Sequence, residues 1–164
     1  RMDGDDFAIE NRFEMQLKYL ENNPKIDILG GGALIHNTNT GQTSKVLMPE
    51  YHNEIIARLF KTSPFIHPTI IAKKEFFIKN KFYNENYKNS EDYELFFRAS
   101  RNSIYHNLQE ILIEYNFNEK LIYKRLYGSI LVRFKNIKKT NEVFKAIYFS
   151  LVQIAQSFRY FAKK

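Results

Sequence analysis

The sequence contains no cysteine and no tryptophan among its 164 residues. Absent cysteine, there can be no disulfide, thiolate zinc site, iron–sulfur cluster or cysteine nucleophile, and the composition suits a reducing compartment. No apolar run reaches about 18 residues, which excludes an ordinary transmembrane helix. Internal repeats and low-complexity segments are missing as well. What is present reads as globular: 44% of residues are hydrophobic and 26% charged, so wholesale disorder is excluded. The length suits one domain with a tail, and folding at this size buries roughly 70% of the unfolded chain's surface.

The net charge of +7 is unevenly placed. Residues 1–115 carry 14 Lys/Arg against 16 Asp/Glu, whereas residues 116–164 carry 11 against 2. A balance of −2 in front and +9 behind describes a near-neutral body with a basic tail. Such a tail points to an anionic partner, either a membrane surface or nucleic acid.

Periodicity places a helix over residues 9–23, with Phe13, Leu17 and Leu20 at helical spacing and Pro24 ending it. A strand over 25–35 follows, interrupted by Gly30, Gly31 and Gly32. A turn at 37–43 leads to a short return strand over 45–48. Further on come a helix over 53–60, a loop braced by Pro64 and Pro68, a β-branched strand over 69–72 and a short helix over 74–80. An irregular polar loop over 82–89 precedes a helix over 91–99 with Ser90 as its cap. A strand over 108–117 comes next, and helix dominates from 119 onward, with a basic break over 133–139. Alternating helices and strands argue for an α/β architecture.

Four groups of residues could do chemistry. In Asp3-Gly4-Asp5-Asp6, nearby carboxylates repel unless a hard cation sits between them. An acidic turn ahead of the first helix explains them equally well. An EF-hand loop fails, because its sixth position is Ala8 and not glycine. Glu91 and Asp92 fall in the first turn of a helix, where the dipole favours acids. One of them could also act as a general base at a cleft. His67 is a rigid loop residue between two prolines, a setting that His36, His52 and His106 lack. Gly30-Gly31-Gly32 lets a ligand or a neighbouring strand approach the backbone, or marks a bulge.

The order of these pieces is more specific than any one of them. Asp3-Gly4-Asp5-Asp6, Asn11-Arg12-Phe13-Glu14, Glu21-Asn22-Asn23-Pro24, Gly30-Gly31, His67-Pro68-Thr69 and Glu91-Asp92-Tyr93 follow one another along residues 1–117. In that order they resemble the family 2 glycosyltransferases of the GT-A fold, the bacterial type that builds surface polysaccharide and lipopolysaccharide. The resemblance implies an enzyme, a hexosyltransferase-like glycosyltransferase. It would transfer sugar with inversion from a nucleotide-sugar donor, UDP-linked by default, to a hydroxyl of a glycan or lipid-linked acceptor. It implies that Asp5 and Asp3 match the DxD motif and bind Mn²⁺ or Mg²⁺, and that Asp92, with Glu91 second, is the catalytic base. Asp6, Gly30, Gly31 and His67 would touch donor or acceptor. The Gln-x-x-Arg-Trp motif of processive members is absent, which favours one sugar per encounter.

One departure bears on the fold. In the family the DxD motif follows a nucleotide-binding half of three β–α units, on the order of 90 residues, whereas here it stands at residue 3. The expectation is therefore α/β: a partial, Rossmann-like GT-A domain over 1–117, lacking its N-terminal half and inactive alone. A basic, mostly helical extension would occupy 118–164. Val143, Ile147, Leu151, Ile154, Phe158 and Ala162 trace one helical face flanked by lysines and arginines. This suits a peripheral membrane contact through 133–164, on the inner, cytoplasmic face of a bacterial membrane. A helix packed back on the body explains the same pattern, and nucleic acid stands behind both as a partner.

Overall fold

The computed structural model describes residues 2, 4, 6–117, 122–137 and 140–161. It is a mixed α/β structure built around one long strand pair. β2 (Ile28–Asn37) and β5 (Tyr105–Phe117) run parallel through the middle of a five-stranded sheet. β1 (Phe7–Ala8) pairs antiparallel with the outer side of β5. β3 (Thr43–Val46) and β4 (Ile71–Ala72) both pair antiparallel with the other side of β2, at opposite ends of it. The residues between β2 and β5 supply the crossover that a parallel pair needs.

Helices cover both faces. On one side α2 (His52–Arg58), α3 (Lys74–Lys79) and α4 (Glu91–Ala99) enclose a core of Ile28, Ile55, Phe65, Phe76, Leu95, Phe96 and Tyr105, all but shut off from solvent. Phe65 stands edge-on to Phe96 and to Tyr105 at 5.0 and 5.2 Å, a favoured aromatic geometry. Tyr105 donates its hydroxyl to the Phe96 carbonyl at 2.6 Å, so the buried phenol is satisfied. On the other side α1 (Arg12–Asn22) sends Met15, Tyr19 and Leu20 against Leu29, Leu108 and Leu112.

α1 corrects the sequence-based core. The helix is present, but Phe13 and Leu17 point to solvent, and the fully buried positions are Arg12 and Gln16. These two polar side chains reach the loop before β4. Arg12 donates to the Pro68 carbonyl at 2.7 Å, and Gln16 donates to the Thr69 carbonyl at 2.9 Å. The strand expected over 69–72 accordingly shrinks to Ile71–Ala72, and His67–Thr69 becomes a 3-10 turn.

The glycine run is both a bulge and a close approach. The β2–β5 register shifts on either side of Gly32. A Cβ on Gly30 would overlap Asn107 and Phe65, and one on Gly31 would overlap Leu112. Gly31 N–H donates to Thr69 Oγ1 at 3.1 Å, which joins β2 to the His67 turn.

The tail forms α5 (Ile122–Lys135) and α6 (Thr140–Phe161). α5 packs on α4, and α6 on α5. The basic break expected over 133–139 is narrower than the sequence suggests, because Arg133 lies inside α5 and is fully buried. α6 buries Ala146 and Ser150 and turns Phe144, Ile147, Tyr148, Leu151 and Phe158 outward. Among the described residues no helix is long and apolar enough to cross a membrane.

Candidate active site

A cavity of about 480 Å³ opens beside the C-terminal ends of β2 and β5, where Ile35 and Tyr115 line it. Ligands of α/β sheets bind outside the carboxyl ends of the strands. Three parts of the chain meet there: the His67 turn, the start of α4 and one face of α5.

The His67 turn is held from behind by α1 and β2 through the bonds of Arg12, Gln16 and Gly31. Thr69 adds a bond from its hydroxyl to the Ile66 carbonyl at 2.7 Å. His67 Nε2 lies 3.0 Å from the Tyr83 hydroxyl. Its other ring nitrogen, Nδ1, faces Asp92 Oδ2 at 3.8 Å. Both side chains are mostly shielded, with 17% and 24% of their surface exposed. Glu91 lines the same cavity, and its Oε2 is buried without a hydrogen-bond partner. The structure thus brings together three of the residues singled out from sequence, which stand at 67, 91 and 92.

Three acids in the first turn suit the start of α4, and Arg98 in its last turn suits the end. Glu94, the third acid, faces away from the cavity business and ties to Arg98 four residues on, at 2.8 Å. Ser90 sits at the N-cap position without capping. Its hydroxyl donates to the Asn89 carbonyl at 2.8 Å, and Gly128 of α5 packs so closely that a Cβ there would overlap Ser90 Oγ. Tyr93, also lining the cavity, donates to the Leu59 carbonyl, and burial pushes its pKa up to about 12.

The other residues picked from sequence lie elsewhere. Gly30 and Gly31 are buried in β2 behind the His67 turn, outside the cavity lining. Asp6 is buried, and its charge acts on Arg12, countering the downward push that burial gives the guanidinium. Asp3 and Asp5 lie outside the described residues. Among the described residues, no group of three or more His, Asp or Glu side chains could hold a metal ion.

No family model matches the chain. Among curated proteins it is 31% identical over 165 residues to an uncharacterized glycosyltransferase of Methanocaldococcus jannaschii, across 92% of this chain and 56% of that protein. It is 35% identical over 123 residues to the O-antigen biosynthesis glycosyltransferase WbnJ of Escherichia coli, across 73% and 47%. It is 30% identical over 128 residues to the amylovoran biosynthesis glycosyltransferase AmsE of Erwinia amylovora, across 76% and 47%. The chain is a homologue of glycosyltransferases. It spans about half the length of the curated relatives it matches.

Sequence reasoning about this glycosyltransferase homologue missed the α5 wall. Arg125, Ser129 and Arg133 all line the cavity, spaced i, i+4, i+8 on one helical face. Arg125 donates to the Tyr115 hydroxyl at 3.2 Å. Ser129 Oγ lies 3.0 Å from Gln153 of α6. The spacing itself was a legible signal, masked by the general basicity of the tail. Arg12 and Gln16, four residues apart in α1, were missed in the same way.

Proposed function

We propose that this chain is the acceptor-side part of an inverting GT-A glycosyltransferase in surface polysaccharide synthesis. The observation that carries the reading is the His67–Asp92 pair, with Glu91 beside it, in a cavity at the carboxyl ends of parallel strands. In this reading an acceptor hydroxyl, on a glycan or a lipid-linked saccharide, enters the cavity and its proton passes to Asp92. The hydroxyl oxygen bonds to the anomeric carbon of a nucleotide-sugar as the bond from that carbon to the diphosphate breaks. The nucleoside diphosphate leaves with the electron pair, and the configuration inverts. A positioned general base contributes typically 10²–10⁴-fold.

His67 acts as a positioning residue. With the Tyr83 hydroxyl donating to Nε2, the ring turns Nδ1 toward Asp92 and orients the carboxylate in the cavity. Glu91 is left to bind an acceptor hydroxyl. Asp3 and Asp5 would hold Mn²⁺ or Mg²⁺, which when bound supplies Lewis-acid stabilisation of the leaving diphosphate. The chain matches only about half of each relative, and in this reading the nucleotide pocket lies in the half it does not match. The 164-residue chain alone is expected to transfer nothing.

The outward apolar stripe of α6 and the +9 balance of residues 116–164 together suit an anionic lipid surface at the inner face of the bacterial membrane. A lipid-linked acceptor would be met there.

The test is transfer from UDP-sugars by the protein as its native gene encodes it, with Asp92→Asn, Glu91→Gln and His67→Gln beside wild type. The Asp92 variant should lose nearly all turnover at unchanged melting temperature, and the His67 variant part of it. Wild-type turnover in Asp92→Asn would remove the assignment.

A further inference from the structure

The α5 side of the cavity carries two cations, Arg125 and Arg133, and one of them is built in an unusual way. Arg133 has no exposed surface. Its Nε donates to the Phe60 carbonyl at 2.6 Å and its Nη2 to the Lys61 carbonyl at 2.9 Å. Its remaining amino group, Nη1, is buried without a hydrogen bond of ordinary geometry, and the Tyr93 hydroxyl lies beside the guanidinium. Among the described residues no carboxylate forms an ion pair with it. A buried charge without a counterion is costly, and burial accordingly pushes the Arg133 pKa down. Eight residues earlier on the same face, Arg125 is steadied by the Tyr115 hydroxyl at the carboxyl end of β5. Two backbone carbonyls suffice to anchor α5 to the turn after α2. A guanidinium adds a charge, beside the neutral Tyr93 phenol, that anchoring does not use.

We infer that Arg125, with the buried charge of Arg133 behind it, forms an anion-binding wall, so that the ligand whose hydroxyl meets Asp92 also carries a phosphate, diphosphate or carboxylate group in the same cavity. The inference rests on the reading of Asp92 as the base. Arginine suits such groups because its planar fork matches their paired oxygens. Anion and hydroxyl are then read by different elements lining one cavity. A neutral saccharide would leave Arg133 uncompensated, which makes the pair a determinant of acceptor choice as well as affinity.

The experiment titrates the full 164-residue chain with inorganic pyrophosphate and, separately, with glucuronate. Glucose serves as the neutral control, ionic strength is constant, and binding is followed by calorimetry and by amide chemical shifts. At least one anion should bind where glucose does not, and the preferred one distinguishes a phosphate ligand from a carboxylate ligand. Arg125→Gln should weaken that binding about tenfold. Arg101→Gln, at an exposed arginine outside the cavity lining that donates to the Asn136 carbonyl, should leave it unchanged. Asp92→Asn should tighten it, because a repelling carboxylate is gone. Arg133→Lys keeps the charge without the fork and guards against a variant that does not fold. No anion binding, or equal weakening by the changes at 125 and 101, would overturn the inference. Transfer by Asp92→Asn at the wild-type rate sinks the base assignment instead, and leaves the titration result standing.

Discussion

α4 and α6 are both amphipathic, yet they face opposite ways. α4 puts Tyr93, Leu95, Phe96 and Phe97 into the core and presents Glu91 and Asp92 to the cavity. α6 puts Ala146 and Ser150 inside and leaves Phe144, Tyr148, Leu151 and Phe158 between 61% and 72% exposed. A hydrophobic stripe says that a helix has two faces and does not say which face meets the body. Small residues let α6 lie close along α5, and the large residues are then left for another surface. Contiguous exposed apolar side chains of this kind mark interaction sites. α4 therefore builds the core and lines the cavity together, whereas α6 sets Gln153 at the cavity and turns its large residues outward.

The comparison can be broken in several places. The largest effect belongs to chemistry: Asp92→Asn should cut transfer by about 10²–10⁴-fold, while Gln153→Ala on α6 should cost far less under the same assay. Comparable losses would mean that α6 shares the chemical work. Next is packing. Leu95→Ala should cost about 2–5 kcal/mol in urea unfolding, and Leu151→Ala should stay within about 0.5 kcal/mol. A large cost at Leu151 would show that its face is already covered in solution. Behind the site, Gly31→Ala should cost about 1–3 kcal/mol, since the new methyl group overlaps Leu112. Its melting temperature should fall, and turnover should fall with it if the Thr69 bond is strained.

A smaller effect concerns α6 alone. Leu151→Ser with Phe158→Ser should lower binding to anionic vesicles about tenfold or more, with melting unchanged. Steeply salt-dependent binding to a polynucleotide, with no vesicle binding, would assign the basic tail to nucleic acid instead. The smallest effect is in pH. Burial holds His52 and His106 below their ordinary value of 6.5. His52 Nδ1 accepts the Tyr105 amide proton at 3.2 Å, a bond that only the neutral ring can make. The unfolded chain therefore binds more protons than the folded one just below pH 6.5. Stability should be complete above that pH and decline as pH falls through the lowered folded values. Urea midpoints from pH 8 to 5 would measure it, and a flat profile in His52→Gln with His106→Gln would assign the slope to these rings.

Much of this was legible beforehand, and the failures share one cause. The existence of α1 followed from Phe13, Leu17 and Leu20, but its orientation did not. Arg12 and Gln16 were needed inside to hold the His67 turn, and that need arises only once residues 53 to 56 positions away fold beside them. β5 begins at Tyr105, earlier than its apolar run, because pairing with Ile28 carries polar residues such as Asn107 into the sheet. Ser90 looked like a cap, and α5 packs too closely on it for the role to matter. Among site residues, His67 could be singled out by its prolines and Glu91 and Asp92 by their helix start. Their meeting across 3.8 Å could not be read from either segment.

By itself, then, the sequence determined the alternation of helices and strands, the absence of thiol chemistry, the division into a neutral body and a basic tail, and the residue types from which a site could be made. Those are local properties, set by periodicity, composition and charge. Tertiary structure alone decided which face of α1 and of α6 turns inward, that Gly30 and Gly31 serve close packing, and that two tail arginines line the same cavity as Asp92. Each depends on distant segments competing for the same buried volume, and no window along the chain contains that competition.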